Sequence, residues 1–374
     1  MSDRTIIALV ADGFGGRGGI ATYSRYMLRA ACCAPGVSNV IALPRLIPYP
    51  LEAMPPNLTY VTDAAGGKLQ FLAAVLRQAA TTPRADLIVC GLLNLLPFAH
   101  ILGARFGCPV MPIVYGYDAW QPTPHASANY FCHRIENFIS IRHLTARRLI
   151  DWAKPPHVKS HYLPNCLDEN EYGIAPPRPD LVAKYGLADR KVILTAGRLD
   201  QHVDDMNKGF DEVLEALPLI VQEIPNATYL VMGDGPDLPR IQAKARTLGV
   251  GDRVVFAGYV SEAEKADHYR LADAFAMPGS GRLFDTYPFR FVLLEALACG
   301  VPAIGTKLTD PAEANDPDVK ELLIQVDPHD RADVARGIVE ALRMPKTGIK
   351  PAMKRYYYSA FEPALHSILA QVMK

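Results

Sequence analysis

The chain has 374 residues, of which 49% are hydrophobic and 21% are charged, with Lys+Arg and Asp+Glu equal at 39 each. One hydrophobic core rarely serves a chain of this length, so two domains are expected. The composition is that of an ordinary soluble globular enzyme, and the zero net charge gives no reason to expect a nucleic-acid partner.

Charge is unevenly distributed along the chain. The first 165 residues hold 15 Lys+Arg against 8 Asp+Glu, and the remainder holds 24 against 31. A basic first half favours an anionic partner or membrane surface, although chance unevenness explains the same numbers equally well. We therefore expect at most weak contact with an anionic membrane surface.

The seven cysteines include no C-x-x-C pair and lie mostly in apolar segments. This pattern favours a reduced, cytosolic compartment and argues against a metal site. The N-terminus passes from Arg4 directly into a strand, without a signal peptide. The most apolar segment, residues 87–104, is broken by Asn94, Pro97 and His100, so it indicates a buried strand and helix rather than a membrane span. The expected location is the cytoplasm, with peripheral attachment to the inner face of the plasma membrane left open.

The first half of the chain alternates between short apolar strands and helices, a rhythm that predicts a doubly wound parallel sheet. The predicted strands are Thr5–Val10, Val40–Leu43, Thr59–Val61, Leu87–Val89, Val110–Val114 and Phe138–Ile141, and the predicted helices are Gln70–Ala79, Leu95–Phe106 and Thr145–Trp152.

Three loops of this half are candidates for ligand contact. The glycine loop that contains Gly18 and Gly19 opens a helix, and it either lets backbone N–H groups approach a phosphate or serves only as a tight turn. Asp118 follows a strand carboxyl end, where open α/β sheets bind ligands, with a helix N-cap as the alternative role. The loop 43–56 holds five prolines, and its apolar residues contact lipid or acceptor or simply pack on their own domain.

The second half repeats the strand-and-loop pattern after a boundary near residues 165–175. Predicted strands at Lys191–Thr195, Thr228–Met232 and Arg253–Ala257 each run into a glycine-containing loop. A helix at Arg290–Cys299 ends at Gly300 and is followed by another strand. The chain closes with a predicted helix, Lys354–Lys374, whose aromatic residues are expected to be core.

The segment LEALACGVPAIGT, residues 294–306, resembles the signature E-G-F-G-x-x-x-x-E-A-x-A-x-G-x-P of retaining, nucleotide-sugar-dependent glycosyltransferases of group 1. This family includes bacterial mannosyl- and glucosyltransferases. The resemblance implies an α/β fold of two facing Rossmann-like domains, the glycosyltransferase B-type fold. It places an acceptor domain at residues 1–168, a donor domain at 169–353 and a helix at 354–374 that returns to the first domain.

The resemblance also implies roles for individual residues. Arg198 and Lys208 match the basic residues that bind the donor diphosphate, and both are assigned to catalysis together with Asp118. Glu295 matches the glutamate that contacts the nucleotide ribose. The remaining implied donor contacts are the backbone of Phe291 and Val292 at the phosphate, Gly258, Tyr259 and Val260 near the base, and Gly18 and Gly19 across from the donor.

The first glutamate of the signature is missing from this chain. Its position is Tyr287, and Arg290 stands where the family has a glycine, after a loop about five residues longer than is common. A tyrosine has a pKa near 10 and is neutral at pH 7, so it supplies no carboxylate to the donor sugar. Asp285, two residues earlier, is the candidate substitute and is assigned to catalysis.

The resemblance implies a retaining hexosyltransferase that uses a UDP- or GDP-sugar as its donor substrate and needs no metal or other cofactor. By family analogy alone, the acceptor is a lipid-linked oligosaccharide in the synthesis of exopolysaccharide or lipopolysaccharide. The alternatives are a catalytically degenerate homologue that only binds nucleotide, which the missing glutamate favours, and a UDP-sugar 2-epimerase. The epimerase needs acid/base residues in the first domain that the sequence does not show.

Overall fold

The computed structural model describes residues 3–200, 208–281, 289–346 and 348–373. They divide into two compact units, each with its own parallel sheet. Unit 1 comprises residues 1–166 and 358–374, and unit 2 comprises residues 167–357.

In the described residues, strands and helices alternate along almost the whole chain. The strands are β1 Arg4–Val10, β2 Val37–Pro44, β3 Leu58–Tyr60, β4 Leu87–Cys90, β5 Val110–Val114, β6 Asn137–Ser140, β7 Lys159–Tyr162, β8 Lys191–Ala196, β9 Ala227–Met232, β10 Val254–Gly258, β11 Ala274–Met277, β12 Ala303–Thr306 and β13 Leu323–Val326. The α-helices are α1 Gly19–Cys32, α2 Lys68–Thr81, α3 Leu96–Phe106, α4 Ala126–Cys132, α5 His143–Ala153, α6 Pro179–Tyr185, α7 Phe210–Glu223, α8 Leu238–Thr247, α9 Glu262–Leu271, α10 Phe291–Ala298, α11 Pro311–Ala314, α12 Pro317–Leu322, α13 Arg331–Arg343 and α14 Tyr358–Val372.

The sheet of unit 1 has the strand order β3-β2-β1-β4-β5-β6-β7, and its paired strands run parallel. The order reverses between β1 and β4, which lie side by side although β2 and β3 come between them in sequence. The carboxyl ends of two such strands form a crevice in which open α/β sheets bind ligands. The glycine loop that follows β1 lies at this point.

The sheet of unit 2 has the order β10-β9-β8-β11-β12-β13, again parallel, with its reversal between β8 and β11. Consecutive residues of β8 face opposite sides of this sheet. Ile193 packs in a cluster with α7 and α13, whereas Leu194 packs in a cluster with α10. Burial on both faces explains why the strand is continuously apolar.

The C-terminal segment corrects the prediction of a helix over residues 354–374. A short 3-10 helix, Pro351–Tyr356, precedes α14, which begins at Tyr358. The backbone is extended between them because the Tyr356 carbonyl accepts a hydrogen bond from the Leu167 N–H at 2.8 Å. Helix α14 packs on α1 within unit 1, with the rings of Phe361 and Tyr23 5.6 Å apart. No helix among the described residues is long and apolar enough to cross a membrane.

Candidate active site

Two connections meet at the carboxyl ends of β8 and β11 in unit 2. The turn Gly197–Arg198 leaves β8, and the segment Pro278–Gly281 leaves β11. Lys208 and Gly209 precede the first turn of α7 and lie against both connections. The sequence-predicted residues Arg198 and Lys208 are therefore placed together at the point where the strand order reverses.

Arg198 and Lys208 share the carboxylate of Asp200. The Arg198 Nε lies 2.7 Å from Oδ1 and 2.9 Å from Oδ2 of Asp200. The Lys208 Nζ donates to the Arg198 carbonyl at 2.5 Å and lies 3.4 Å from Asp200 Oδ2. The Arg198 side chain is 75% exposed, whereas that of Lys208 is 22% exposed. Two cations are thus held close together at the surface by one short acidic side chain.

Charge and burial act against each other in this cluster. Burial acts to raise the pKa of Asp200, but the hydrogen bond from Arg198 and the charge of Lys208 outweigh it and leave that pKa below its usual value. Burial lowers the pKa of Lys208, the Asp200 carboxylate opposes this, and the charges of Arg198 and Arg290 add to the lowering. Arg290 is therefore a third cation close enough to act on Lys208. Among the described residues, Arg198 and Lys208 are thus grouped around one shared carboxylate, an arrangement of cations that suits a diphosphate.

Two glycines allow the backbone segments of this site to approach one another. Gly209 has φ +86°, and a Cβ there would lie 2.8 Å from atoms of Pro278. Gly233 has φ +144°, and a Cβ there would lie 1.9 Å from the Gly197 carbonyl oxygen. A side chain at either position would separate the turns, so these glycines are required by close packing.

Glu295 lies inside α10 and is 3% exposed. The Tyr269 hydroxyl donates to Glu295 Oε2 at 2.6 Å, and the Lys265 Nζ lies 3.5 Å from Oε1. Burial and the neighbouring carboxylate raise the pKa of Tyr269 well above its usual value, so it remains a hydrogen-bond donor at neutral pH. The structure therefore fixes the orientation of Glu295, and its contact with a ribose stays a prediction.

The other predicted donor residues of unit 2 lie at strand and helix ends. Gly258 ends β10 with φ +72°, and its carbonyl accepts from the Gly233 N–H at 2.9 Å. Tyr259 is 59% exposed and Val260 is buried. Phe291 and Val292 are the first two residues of α10 and are half-buried. Their contacts with a donor stay predictions.

Asp285 and Tyr287 lie outside the described residues. The proposed replacement of the missing glutamate by Asp285 therefore stays a prediction.

Unit 1 holds Gly18, Gly19 and Asp118. Gly18 is the exposed N-cap of α1 with φ +91°, and Gly19 is the first residue of that helix. Asp118 does not cap an α-helix. It lies in a 3-10 turn after β5, where its Oδ1 accepts from the Gly116 N–H at 2.7 Å. Burial raises the pKa of Asp118, against the lowering effect of that bond.

Sequence reasoning missed several side chains that hold this site. These are Asp200, Glu212, Lys265, Tyr269 and Ser280. Of these, Glu212 could most readily have been found from the sequence, because it follows the Lys208–Gly209 pair in the first turn of α7. Within the described ranges no three His, Cys, Asp or Glu side chains are grouped as a metal site.

Comparison with known proteins finds a family match in the second half of the chain. Residues 190–344 match the family model described as glycosyl transferases group 1. The GDP-mannose-dependent alpha-(1-6)-phosphatidylinositol monomannoside mannosyltransferase of Mycolicibacterium smegmatis is 35% identical over 157 residues, which are 40% of this chain and 38% of that protein. The chain thus matches less than half the length of this relative.

Solved structures resemble the whole chain in fold. Sucrose-phosphate synthase from Thermosynechococcus elongatus superposes with a TM-score of 0.75 at 18% identity and covers 98% of both chains. HepE from Anabaena, solved with UDP and glucose, gives 0.70 at 19% identity and covers 98% of this chain and 100% of its own. The prediction of two Rossmann-like domains is confirmed by this likeness together with the two parallel sheets. Residues 190–344 are thus similar to group 1 glycosyltransferases, and the whole chain has the two-domain B-type fold of these solved structures.

Proposed function

We propose that this protein transfers a hexose from a nucleoside diphosphate sugar to an acceptor hydroxyl with retention of configuration. The observation that supports this most directly is the Arg198–Asp200–Lys208 cluster. It concentrates positive charge at the carboxyl ends of β8 and β11, where the strand order reverses. The segment that carries the cluster is also the one that matches the family.

In the proposed reaction, the sugar–phosphate bond breaks while negative charge develops on the departing diphosphate. Arg198 and Lys208 stabilise that charge, with the N-terminus of α10 and the nearby charge of Arg290 contributing. Asp200 holds the two cations near each other before the donor binds. When the phosphates bind, their oxygens replace part of the hydrogen bonding that Arg198 and Lys208 give to Asp200. The proposal requires no metal, so transfer should be unchanged by a chelator such as EDTA.

The proposed acceptor is a lipid-linked sugar used in cell-surface polysaccharide synthesis. Four large, exposed apolar side chains of unit 1 favour a lipid-bearing molecule as the acceptor. They are exposed in the loop after β2: Leu46, Tyr49, Leu51 and Met54. This loop is attached to the glycine loop, since the Tyr49 N–H donates to the Gly15 carbonyl at 3.1 Å. The mannosyltransferase relative, whose name gives a phosphatidylinositol mannoside as acceptor, is consistent with this choice.

A panel of donors tests the proposal. Purified protein is incubated with UDP- and GDP-linked hexoses, and both binding and release of the nucleoside diphosphate are measured. We expect binding of one nucleotide class and slow donor hydrolysis without acceptor. Nucleotide binding without any turnover, even with lipid-linked acceptors, would instead establish the degenerate homologue, and interconversion of the donor sugar would establish an epimerase.

A further inference from the structure

Glu212 connects the two segments that form the candidate diphosphate site. It lies in the first turn of α7, four residues after Lys208. The Ser280 hydroxyl, in the segment that leaves β11, donates to Glu212 Oε1 at 3.2 Å. This hydrogen bond joins residues 68 positions apart in the chain.

The segment that leaves β11 is held at further points in the same region. Gly209 packs against Pro278 so closely that a Cβ would clash. The Thr306 hydroxyl, at the end of β12, donates to the Gly279 carbonyl. Residues 278–280 are thus fixed between α7 and β12, and Glu212 supplies the side-chain contact from the Lys208 side.

From this geometry we propose that Glu212 is a positioning residue for the nucleotide-sugar donor, because it fixes Ser280 against the Lys208–Gly209 turn. The inference rests on the proposed function for the identity of the donor. Binding sites need supporting residues that lock the ligand-contacting segments in place. Without Glu212, the start of the β11–α10 connection loses one anchor. Ordering this segment when the donor binds then costs conformational entropy, which weakens binding.

The protonation of Glu212 should govern the strength of this anchor. Burial raises the pKa of Glu212 to about 7, against the lowering effects of its own backbone N–H and of Ser280. A hydroxyl donates more strongly to a carboxylate than to a neutral carboxylic acid. The anchor is therefore strongest above the folded-state pKa and weakens as the pH falls through it.

Charged side chains on α7 and α8 surround Glu212. On α7 its neighbours are Asp211 and Glu215, and α8 contributes Arg240 and Lys244, which hydrogen-bond to Asp211. These contacts lower the pKa of Asp211 to about 2 in spite of its burial, so Asp211 stays ionised.

The other elements packed against α7 contribute further titratable groups in the described ranges. Strand β9 contributes Tyr229, whose pKa is raised by burial. On α13 the charged side chains are engaged elsewhere, since Arg336 pairs with Asp333 and Glu340, and Arg343 pairs with Glu223.

Three variants test the role, with a fourth as the matched control. Glu212→Ala and Ser280→Ala should each lower kcat/KM for the nucleotide sugar by about tenfold, the size expected for one charged hydrogen bond. Glu212→Gln keeps an acceptor oxygen and should retain activity within about twofold. Glu223→Ala removes an exposed carboxylate at the other end of α7, which pairs with Arg343, and should leave donor kinetics unchanged.

Two readouts separate positioning from simple loss of structure. The wild-type KM for the donor should fall by about threefold from pH 6 to pH 8, and that of Glu212→Gln should not change. The phosphates of a nucleotide sugar are diesters of constant charge in this range, so the donor does not cause the trend. In a double variant, Glu212→Ala and Ser280→Ala should cost no more than either alone, because both remove the same bond.

Several outcomes would overturn the proposal: full activity of Glu212→Ala with unchanged KM, additive losses in the double variant, or tighter donor binding by Glu212→Gln, which would reveal a repulsive charge instead. Hydrogen exchange of the Gly279–Gly281 amides, measured without any ligand, keeps the anchor testable if Glu212→Ala folds poorly. Ser280→Ala should speed this exchange, and Glu212→Gln should leave it close to that of the wild type. If the wild-type protein binds no nucleotide sugar, the proposed function and the positioning role both fail. If it binds one and the variants behave as wild type, only the positioning role fails.

Discussion

Replacing Lys208 with alanine should weaken nucleoside diphosphate binding by about 2 kcal/mol, or roughly 30-fold in Kd, the usual range for a hydrogen bond to a charged group. The ammonium group is preorganised for such a contact because the Arg198 carbonyl holds it at 2.5 Å and its side chain is largely buried. Arg198→Ala should give a loss of the same order, from the lower part of that range, because a side chain that is 75% exposed is more screened.

Asp200→Asn should change the affinity in the opposite direction. The Asp200 carboxylate competes with a diphosphate for both cations, since it lies within hydrogen-bonding distance of Arg198 and 3.4 Å from Lys208. Neutralising it should tighten binding. This reversal of sign distinguishes an electrostatic site from a merely structural cluster, in which all three variants would lose affinity.

Isothermal titration calorimetry with UDP and GDP measures these affinities, and thermal unfolding shows that each variant is folded. Arg343→Ala serves as the matched control. It removes an arginine whose Nη2 lies 2.8 Å from Glu223 Oε2, at the end of α7 opposite the site. If both nucleotides bind Lys208→Ala and Arg198→Ala as tightly as the wild type, the donor site has been assigned to the wrong residues.

Three further predictions concern the sugar contact, the membrane and acid stability. Asp285→Asn should abolish transfer with nucleotide affinity nearly intact, whereas Glu295→Ala should weaken nucleotide and nucleotide sugar alike; wild-type turnover of Asp285→Asn would leave the sugar contact to another group. The basic first half of the chain should float with anionic liposomes at low salt and detach as the Debye length shrinks from roughly 10 Å at 0.1 M to 3 Å at 1 M salt; attachment that persists at high salt would contradict this. Because Arg240 and Lys244 lower the pKa of Asp211 to about 2, its stabilisation is present above the unfolded-state value near 3.8 and is lost as the pH falls toward the folded one. That contribution should be about 1–2 kcal/mol after solvent screening. Asp211→Asn should therefore reduce the fall in the free energy of unfolding, measured with urea, as the pH is lowered. An unchanged fall would show that the cluster adds no stability.

The apolar strands could be located from the sequence because parallel strands buried on both faces read as continuous apolar runs. Val110–Val114 was predicted with the bounds that the structure gives it, and β8 extends the predicted strand by one residue. Strand β7, Lys159–Tyr162, was missed. It lies at the edge of its sheet and is half exposed, so its sequence lacks the apolar run that marks a buried strand.

The sequence by itself determined which segments leave the strand ends and which of them carry cations, because Gly-Arg and Lys-Gly are local patterns next to recognisable strands. Only the tertiary structure decided which side chains hold those segments together. Tyr269 meets Glu295 across 26 residues, and Ser280 meets Glu212 across 68. Tyr269 and Glu295 lie on helices α9 and α10, and Glu212 on α7 meets Ser280 after β11, so both pairs depend on which helices and strands the sheet brings side by side. Strand order is set by the packing of helices on the sheet faces, and no local pattern in the chain records it.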